Sequence, residues 1–167
     1  LGDVYKRQRP DCIIAQSGVS ALCESLSFAM FDEGDYLILP TPYYTGFEHD
    51  FNKRFGVNFL SAELDPASNF KHNIDAFKRA YDKCSEKEKI KAVLITDPHN
   101  PTGEILSSSF KKDIIEFCLD KNLALISDEI YALSVHNGER HESLYQQAFD
   151  AGVDAHFLYG MAKDFAL

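Results

Sequence analysis

The sequence predicts an α/β protein built on a mostly parallel sheet with helices on both faces. Short apolar runs alternate with longer amphipathic stretches along the chain. The runs are almost continuously apolar, as expected of strands covered on both faces rather than one. The chain also has enough material for one domain with a real core, at 167 residues, 45% hydrophobic and 26% charged.

The first apolar run, residues 12–15, is predicted as a strand. The small-residue turn Ser17-Gly18 follows it and opens a helix over residues 20–31. Glu33-Gly34-Asp35 turns the chain into a strand at residues 36–39. Pro40 and Pro42 are expected to end that strand, because proline cannot donate to a ladder. Residues 57–60 form the next strand. Asn73 is placed to cap a helix over residues 74–84. A strand at residues 92–96 leads into Asp97-Pro98-His99-Asn100-Pro101-Thr102-Gly103. Ser107 or Ser108 then caps a helix that runs to Lys121. Residues 123–127 and 156–159 are the last strands, with a helix over residues 141–151 between them. The polar stretch from His136 to His141 reads as a surface loop with no role, and Glu48-His49-Asp50 as a solvated helix face.

Charge and cysteine usage narrow the functional classes. Lys and Arg total 17 against 26 Asp and Glu, a formal net charge of -9. Such a surface repels phosphate backbones and anionic lipid, so neither nucleic acid nor membrane is an expected partner. No apolar run approaches the roughly 18 residues that a membrane span needs. Cys12, Cys23, Cys84 and Cys118 have no CxxC spacing and no histidine at zinc-ligand spacing, so no metal site is expected. Cys12, Cys23 and Cys118 sit in apolar stretches and read as small buried hydrophobes of a reduced, cytoplasmic protein. The residues Asp3-Val4-Tyr5-Lys6-Arg7-Gln8 coincide with one translated frame of a sequencing-library adapter. Residues 1–8 therefore read as a scar and are set aside from the fold.

In open parallel sheets ligands gather beyond the carboxyl ends of the strands, and the unusual polar residues fall there. Successive strand ends carry Ser17-Gly18-Val19-Ser20, Pro40-Thr41-Pro42-Tyr43-Tyr44, the Asn100 segment, Asp128-Glu129-Ile130-Tyr131, and Gly160-Met161-Ala162-Lys163. Each has an ordinary explanation alone: a helix cap, packing tyrosines, a turn, a solvated loop start, a surface cation. Their occurrence together, in this order, is the informative observation. A nucleotide-binding α/β domain is the generic alternative, but GxGxxG is absent after the first strand and GxxxxGK[ST] is absent throughout.

As an ordered set these residues resemble the class I and II aminotransferases, pyridoxal-phosphate enzymes. Within them they resemble the branch that includes aminocyclopropane-carboxylate synthase. Pro40-Thr41-Pro42-Tyr43-Tyr44-Thr45-Gly46-Phe47 with Asp50 is the match to that branch. The Asp97–Gly103 segment, Ser127-Asp128-Glu129-Ile130-Tyr131 and Ala162-Lys163-Asp164-Phe165 match the family broadly. The resemblance implies a pyridoxal 5'-phosphate cofactor, an amino acid and a keto acid as small-molecule substrates, and a homodimer. It implies that Lys163 is the Schiff-base lysine and proton-transfer base, and that Asp128 pairs with the ring nitrogen. Asn100 and Tyr131 match donors to the ring's phenolic oxygen, and Tyr44, rather than Tyr43, the aromatic stacked on the ring. Gly18, Val19 and Ser20 match the phosphate-binding turn. The resemblance also suggests a cis peptide at Asn100-Pro101. The pattern departs at Gly160 and Ala162, where the family often has Ser or Thr, so one phosphate contact is expected to be absent.

On this reading residues 9–167 are an incomplete large domain of the pyridoxal-phosphate transferase fold. The N-terminal segment, the last strand and the small domain are expected to lie outside it. The run at residues 12–15 is then expected to lack its partner strand and leave apolar surface exposed. The activity implied is transamination. The alternatives are a lyase of the aminocyclopropane-carboxylate synthase or C–S lyase kind, and a non-catalytic remnant that binds the cofactor alone.

Overall fold

The computed structural model describes residues 10–136 and 140–167. Residues 1–8, and the middle of the loop before His141, lie outside the described residues. The chain forms α1 (Val19–Met30), β1 (Tyr36–Thr41), a π-helical turn (Glu48–Lys53), β2 (Asn58–Glu63), α2 (Ile74–Lys83) and β3 (Ile90–Thr96). It continues through α3 (Ser108–Lys121), β4 (Ala124–Asp128), α4 (Leu144–Ala151), β5 (Ala155–Leu158) and the short α5 (Met161–Asp164).

The strands make one parallel sheet of order β2-β1-β3-β4-β5. Strand period 2 divides their side chains between two cores. Ile38, Val93, Ile95 and Leu125 face α2, α3 and α4 with Phe77, Phe110, Ile114 and Leu144. Leu37, Leu39, Leu94 and Ile126 face α1 and the π-helical turn with Cys23, Phe47 and Phe51. The chain moves outward from β1 to β2, then crosses back to β3 and proceeds the other way. That reversal creates a switch point between β1 and β3, where a crevice opens at the strand ends.

Local capping follows the sequence. Asn73 accepts the Ala76 N–H at 3.0 Å and Ser107 accepts that of Phe110 at 3.2 Å. Gly34 takes a φ of +89° in the turn before β1, a conformation that side chains with a Cβ resist. The last long helix starts at Leu144 rather than residue 141, because Ser143 caps it through the Gln146 N–H at 3.1 Å.

Four expectations are corrected. Residues 12–15 form no strand: after a turn at Pro10–Cys12 the chain is irregular, with Ile13 59% and Ile14 71% exposed. No described strand lies alongside them, so no ladder satisfies their backbone. Pro40 does not end β1. Pairing with β3 stops at Ile38, while pairing with β2 runs on to Thr41, so Pro40 sits where β1 has one neighbour and its missing N–H costs nothing. Cys12 is exposed, whereas Cys23, Cys84 and Cys118 are buried free thiols. His141 is no surface residue: it is 8% exposed and hydrogen-bonded to Glu129.

No described helix is long and apolar enough to cross a membrane.

Candidate active site

A cleft of about 260 Å³ opens at the carboxyl ends of the strands. The sequence-predicted residues Val19, Ser20, Tyr44, Asn100, Asp128, Tyr131 and Lys163 all line it; Gly18 does not. They arrive from the start of α1, the turn after β1, the loop after β3, the end of β4 and its following turn, and α5. A larger cleft of about 320 Å³ between α2 and α3 is lined by mixed surface charge around Tyr81 and by no strand residue.

Each wall has a local cause. Gly18, at φ +90°, is the N-cap of α1, and no side chain caps that helix. The first turn of α1 therefore offers backbone N–H groups and the positive end of the helix dipole beside the cleft, an arrangement suited to an anion. Gly46 lets the Tyr44 ring lie over the backbone, since a Cβ there would come within 2.2 Å of it. Phe47 holds that ring edge-on at a centroid distance of 5.4 Å. Tyr43 turns the other way, packing edge-on against Phe59 at 5.8 Å and donating to Glu48 at 3.3 Å.

The loop carrying Asn100 is braced by histidines. His72 and Glu104 pair at 2.7 Å, and His99 bonds Thr102 at 2.8 Å with its ring edge-on to His72. Burial, then the neighbouring His72, pulls the His99 pKa down to about 4, so its ring is neutral near pH 7. The Asn100-Pro101 bond is cis, as expected, and Thr41-Pro42 and Asp97-Pro98 are cis as well.

The end of β4 carries two adjacent carboxylates with opposite electrostatics. Burial works against the Glu129 charge, yet His141 at 2.9 Å, the Tyr145 N–H at 3.0 Å and Ser127 at 2.8 Å outweigh it and hold its pKa below the ordinary value. Asp128 faces the cleft. It accepts the Ile130 N–H at 3.2 Å, while burial, helped by the charges of Glu129 and Asp50, pushes its pKa up to about 7. A cationic N–H placed against it would repay that burial directly.

The Asp128 shift carries a sign for stability. Its folded pKa lies above the unfolded value of 3.8, so the folded state keeps the proton longer. The contribution of Asp128 to the stability of the ligand-free protein therefore falls as pH rises from about 4 to about 7. Asp128→Asn is expected to exceed the parent in stability at pH 8 by on the order of 1–3 kcal/mol, the advantage vanishing toward pH 4. Urea titrations across that range check it; a constant difference would refute the assignment.

Sequence reasoning gave no site role to Phe47, Asp50, Thr96 and Ile130, which also line the cleft. Asp50 corrects the reading of Glu48-His49-Asp50 as a solvated face: it is 8% exposed and accepts from Ser20 at 3.3 Å. Helical spacing hid it, because the turn is π rather than α and rotates Asp50 inward. Thr96 could have been found, as the last residue of a strand that ends at the cleft. Gly160 and Val19 fit each other: a Cβ at residue 160 would meet Val19 Cγ2 at 2.9 Å.

Comparison with known proteins adds ancestry to this geometry. The family described as aminotransferase class I and II matches residues 2–167. 1-Aminocyclopropane-1-carboxylate synthase 7 of Arabidopsis thaliana is 34% identical over 164 residues, which cover 95% of this chain and 37% of that protein. The probable aminotransferase ACS12 of the same plant is 32% identical over 162 residues, covering 95% and 33%. Among solved structures, a Thermus thermophilus aspartate aminotransferase mutant superposes with a TM-score of 0.81 at 26% identity, covering 95% of this chain and 39% of that one. Tyrosine aminotransferase from Leishmania infantum gives 0.76 at 32%, covering 88% and 38%. The chain thus spans between a third and two fifths of the length of these proteins.

Proposed function

The chain belongs to the class I and II aminotransferase family, and from that premise we propose that the protein carrying it is a pyridoxal-phosphate-dependent aminotransferase of amino-acid metabolism. The family depends on that cofactor. The observation that carries the reading is the single cleft in which Lys163, Asp128, Tyr131, Asn100, Tyr44, Val19 and Ser20 meet.

The donor set fits the group. Asp128 would hold the ring nitrogen, since its costly buried charge gains most from a cationic N–H. Asn100 and Tyr131 would donate to the phenolic oxygen, and Tyr44 would cover one face of the ring. The uncapped first turn of α1, with Gly18, Val19 and Ser20, would hold the phosphate through backbone N–H groups. When bound, pyridoxal phosphate is a sink for the electron pair left by a broken Cα–H bond. Lys163 Nζ would take the substrate's Cα proton and return it elsewhere, the role of a general base on a flexible stem. The substrates proposed are an amino acid and a keto acid, the assembly a homodimer. A cytoplasmic setting accords with the buried free thiols of Cys23, Cys84 and Cys118.

A second reading has its own support: relatives 31–36% identical include several 1-aminocyclopropane-1-carboxylate synthases. The same base and ring contacts would serve an elimination, because both reactions begin by removing the Cα proton. Incubating the full-length, cofactor-loaded protein with 15N-labelled amino acids and an unlabelled keto acid separates them. Label in a new amino acid supports transamination. Loss of a substrate side-chain substituent without label transfer supports elimination. Cofactor binding with neither product leaves a binding remnant and overturns both.

A further inference from the structure

We propose that Asp164 is a positioning residue for Lys163, fixing its short helix to the loop that carries Tyr131. The proposal rests on reading Lys163 as the cofactor-bound lysine. α5 has four residues, none of them buried, and its N-cap Gly160 supplies no side-chain hydrogen bond. A helix of one turn does not hold itself together, because nucleation costs more than one turn returns. Something outside α5 must hold Lys163 in place, and Asp164 supplies the contacts.

The Asp164 carboxylate accepts from outside its own helix on two sides. The Leu133 N–H reaches Oδ2 at 3.1 Å, and the Ser134 hydroxyl reaches Oδ1. The Tyr159 hydroxyl, at the end of β5, reaches Oδ2 at 3.0 Å. Ser134 in turn donates its N–H to the Tyr131 carbonyl at 2.9 Å, closing the turn that carries Tyr131. One carboxylate thus ties the helix of Lys163 to the turn of Tyr131 and to the sheet. Consecutive residues on a helix point about 100° apart, so Asp164 can anchor the far side while Lys163 lines the cleft.

The Tyr159 end of this link is rigid. Its ring stacks on Phe157 at 6.0 Å and 5°, and Phe157 packs against Tyr145 at 5.5 Å. Burial, then the Asp164 bond and charge, pushes the Tyr159 hydroxyl up to about 12, so it remains a donor at working pH. Charge-assisted bonds to one acceptor are the strong kind, suited to holding a catalytic group within a fraction of an ångström.

The test uses the full-length protein carrying this chain and pyridoxal phosphate as probe. Asp164→Asn keeps the shape and loses acceptor capacity; Tyr159→Phe keeps the charge and removes one donor. Two quantities are read: the rate at which borohydride-fixed cofactor accumulates on Lys163, by peptide mass spectrometry, and the pH midpoint of the bound cofactor's visible absorbance. The expected result is loading slowed about tenfold or more in Asp164→Asn, less in Tyr159→Phe, with a displaced midpoint and unchanged cofactor-free melting. Should Asp164→Asn fail to fold, Tyr159→Phe decides alone. Parental rates and midpoints in the variants that fold would overturn the proposal while leaving Lys163 in its role. Absence of label on Lys163 in the parent protein would overturn that underlying reading and this inference with it.

Discussion

Lys163→Ala is expected to abolish covalent attachment of pyridoxal phosphate and to lower turnover of the full-length protein by at least ~10²–10⁴-fold. The residue lines the cleft with Asp128 and Tyr131, and α5 has no buried residue. Removing its side chain therefore empties the base position without disturbing the core. The folded state should keep its melting temperature, which separates this loss from a structural one. Lys163→Arg makes the control sharper: it retains a cation of similar reach, but a guanidinium does not give up its proton near neutral pH. Both variants should fail alike. Mass spectrometry after borohydride reduction, beside initial rates, checks the outcome, and turnover within tenfold of the parent in either variant would remove Lys163 from the mechanism.

The largest expected effect on stability lies beneath the site. Lys111 on α3 is 1% exposed and its ammonium sits 2.8 Å from Asp97, itself 0% exposed. Asp97 also accepts the Leu106 N–H at 3.1 Å, and its own N–H donates to the Asp128 carbonyl at 2.9 Å. Lys111 reaches the Glu142 carbonyl as well, beside the His141–Glu129 pair. Lys111→Met keeps the length of the stem but leaves the Asp97 charge buried without its cation. Breaking a buried pair from one side costs about 3–5 kcal/mol, or a fall in melting temperature of roughly 6–20 °C in a chain this size. The double variant Lys111→Met with Asp97→Asn should recover much of that loss, because no bare charge remains. Thermal denaturation of both variants tests this: equal damage in the single and the double variant would show that packing, not charge, is at stake. The position of the pair, between the Asn100 loop and Asp128, makes the same variants likewise informative about cofactor binding.

Most cleft-lining positions were legible because they lie at strand ends, and strand ends are marked by abrupt changes of residue type. Thr96 to Asp97, Ser127 to Asp128, and Tyr159 to Gly160 each close an apolar run. The helices over 74–83 and 108–121 were equally plain, since their caps and apolar spacing are local properties. Residues 12–15 show the limit of that signal. An apolar run is a strand only if another strand pairs with it, and no described strand does so here. Asp50 shows another limit, because one π-helical turn changes which residues face inward.

The sequence by itself determined the α/β class, the order of strands and long helices from α1 onward, and most of the residues at the sheet's carboxyl edge. Periodicity, capping and turn chemistry act over a few residues and can be read along the chain. Only the tertiary structure decided what those residues do to one another. Asp128 and Glu129 are neighbours in sequence with the same charge, yet one is raised to about 7 and the other is held low. The difference comes from His141, Ser143 and Tyr145, brought to Glu129 from a distant segment. The buried Lys111–Asp97 pair, the inward turn of Asp50 and the anchoring of α5 by Asp164 are of the same kind. Burial and charge act through space, so the proton affinity of a group is set by neighbours that the chain order does not place beside it.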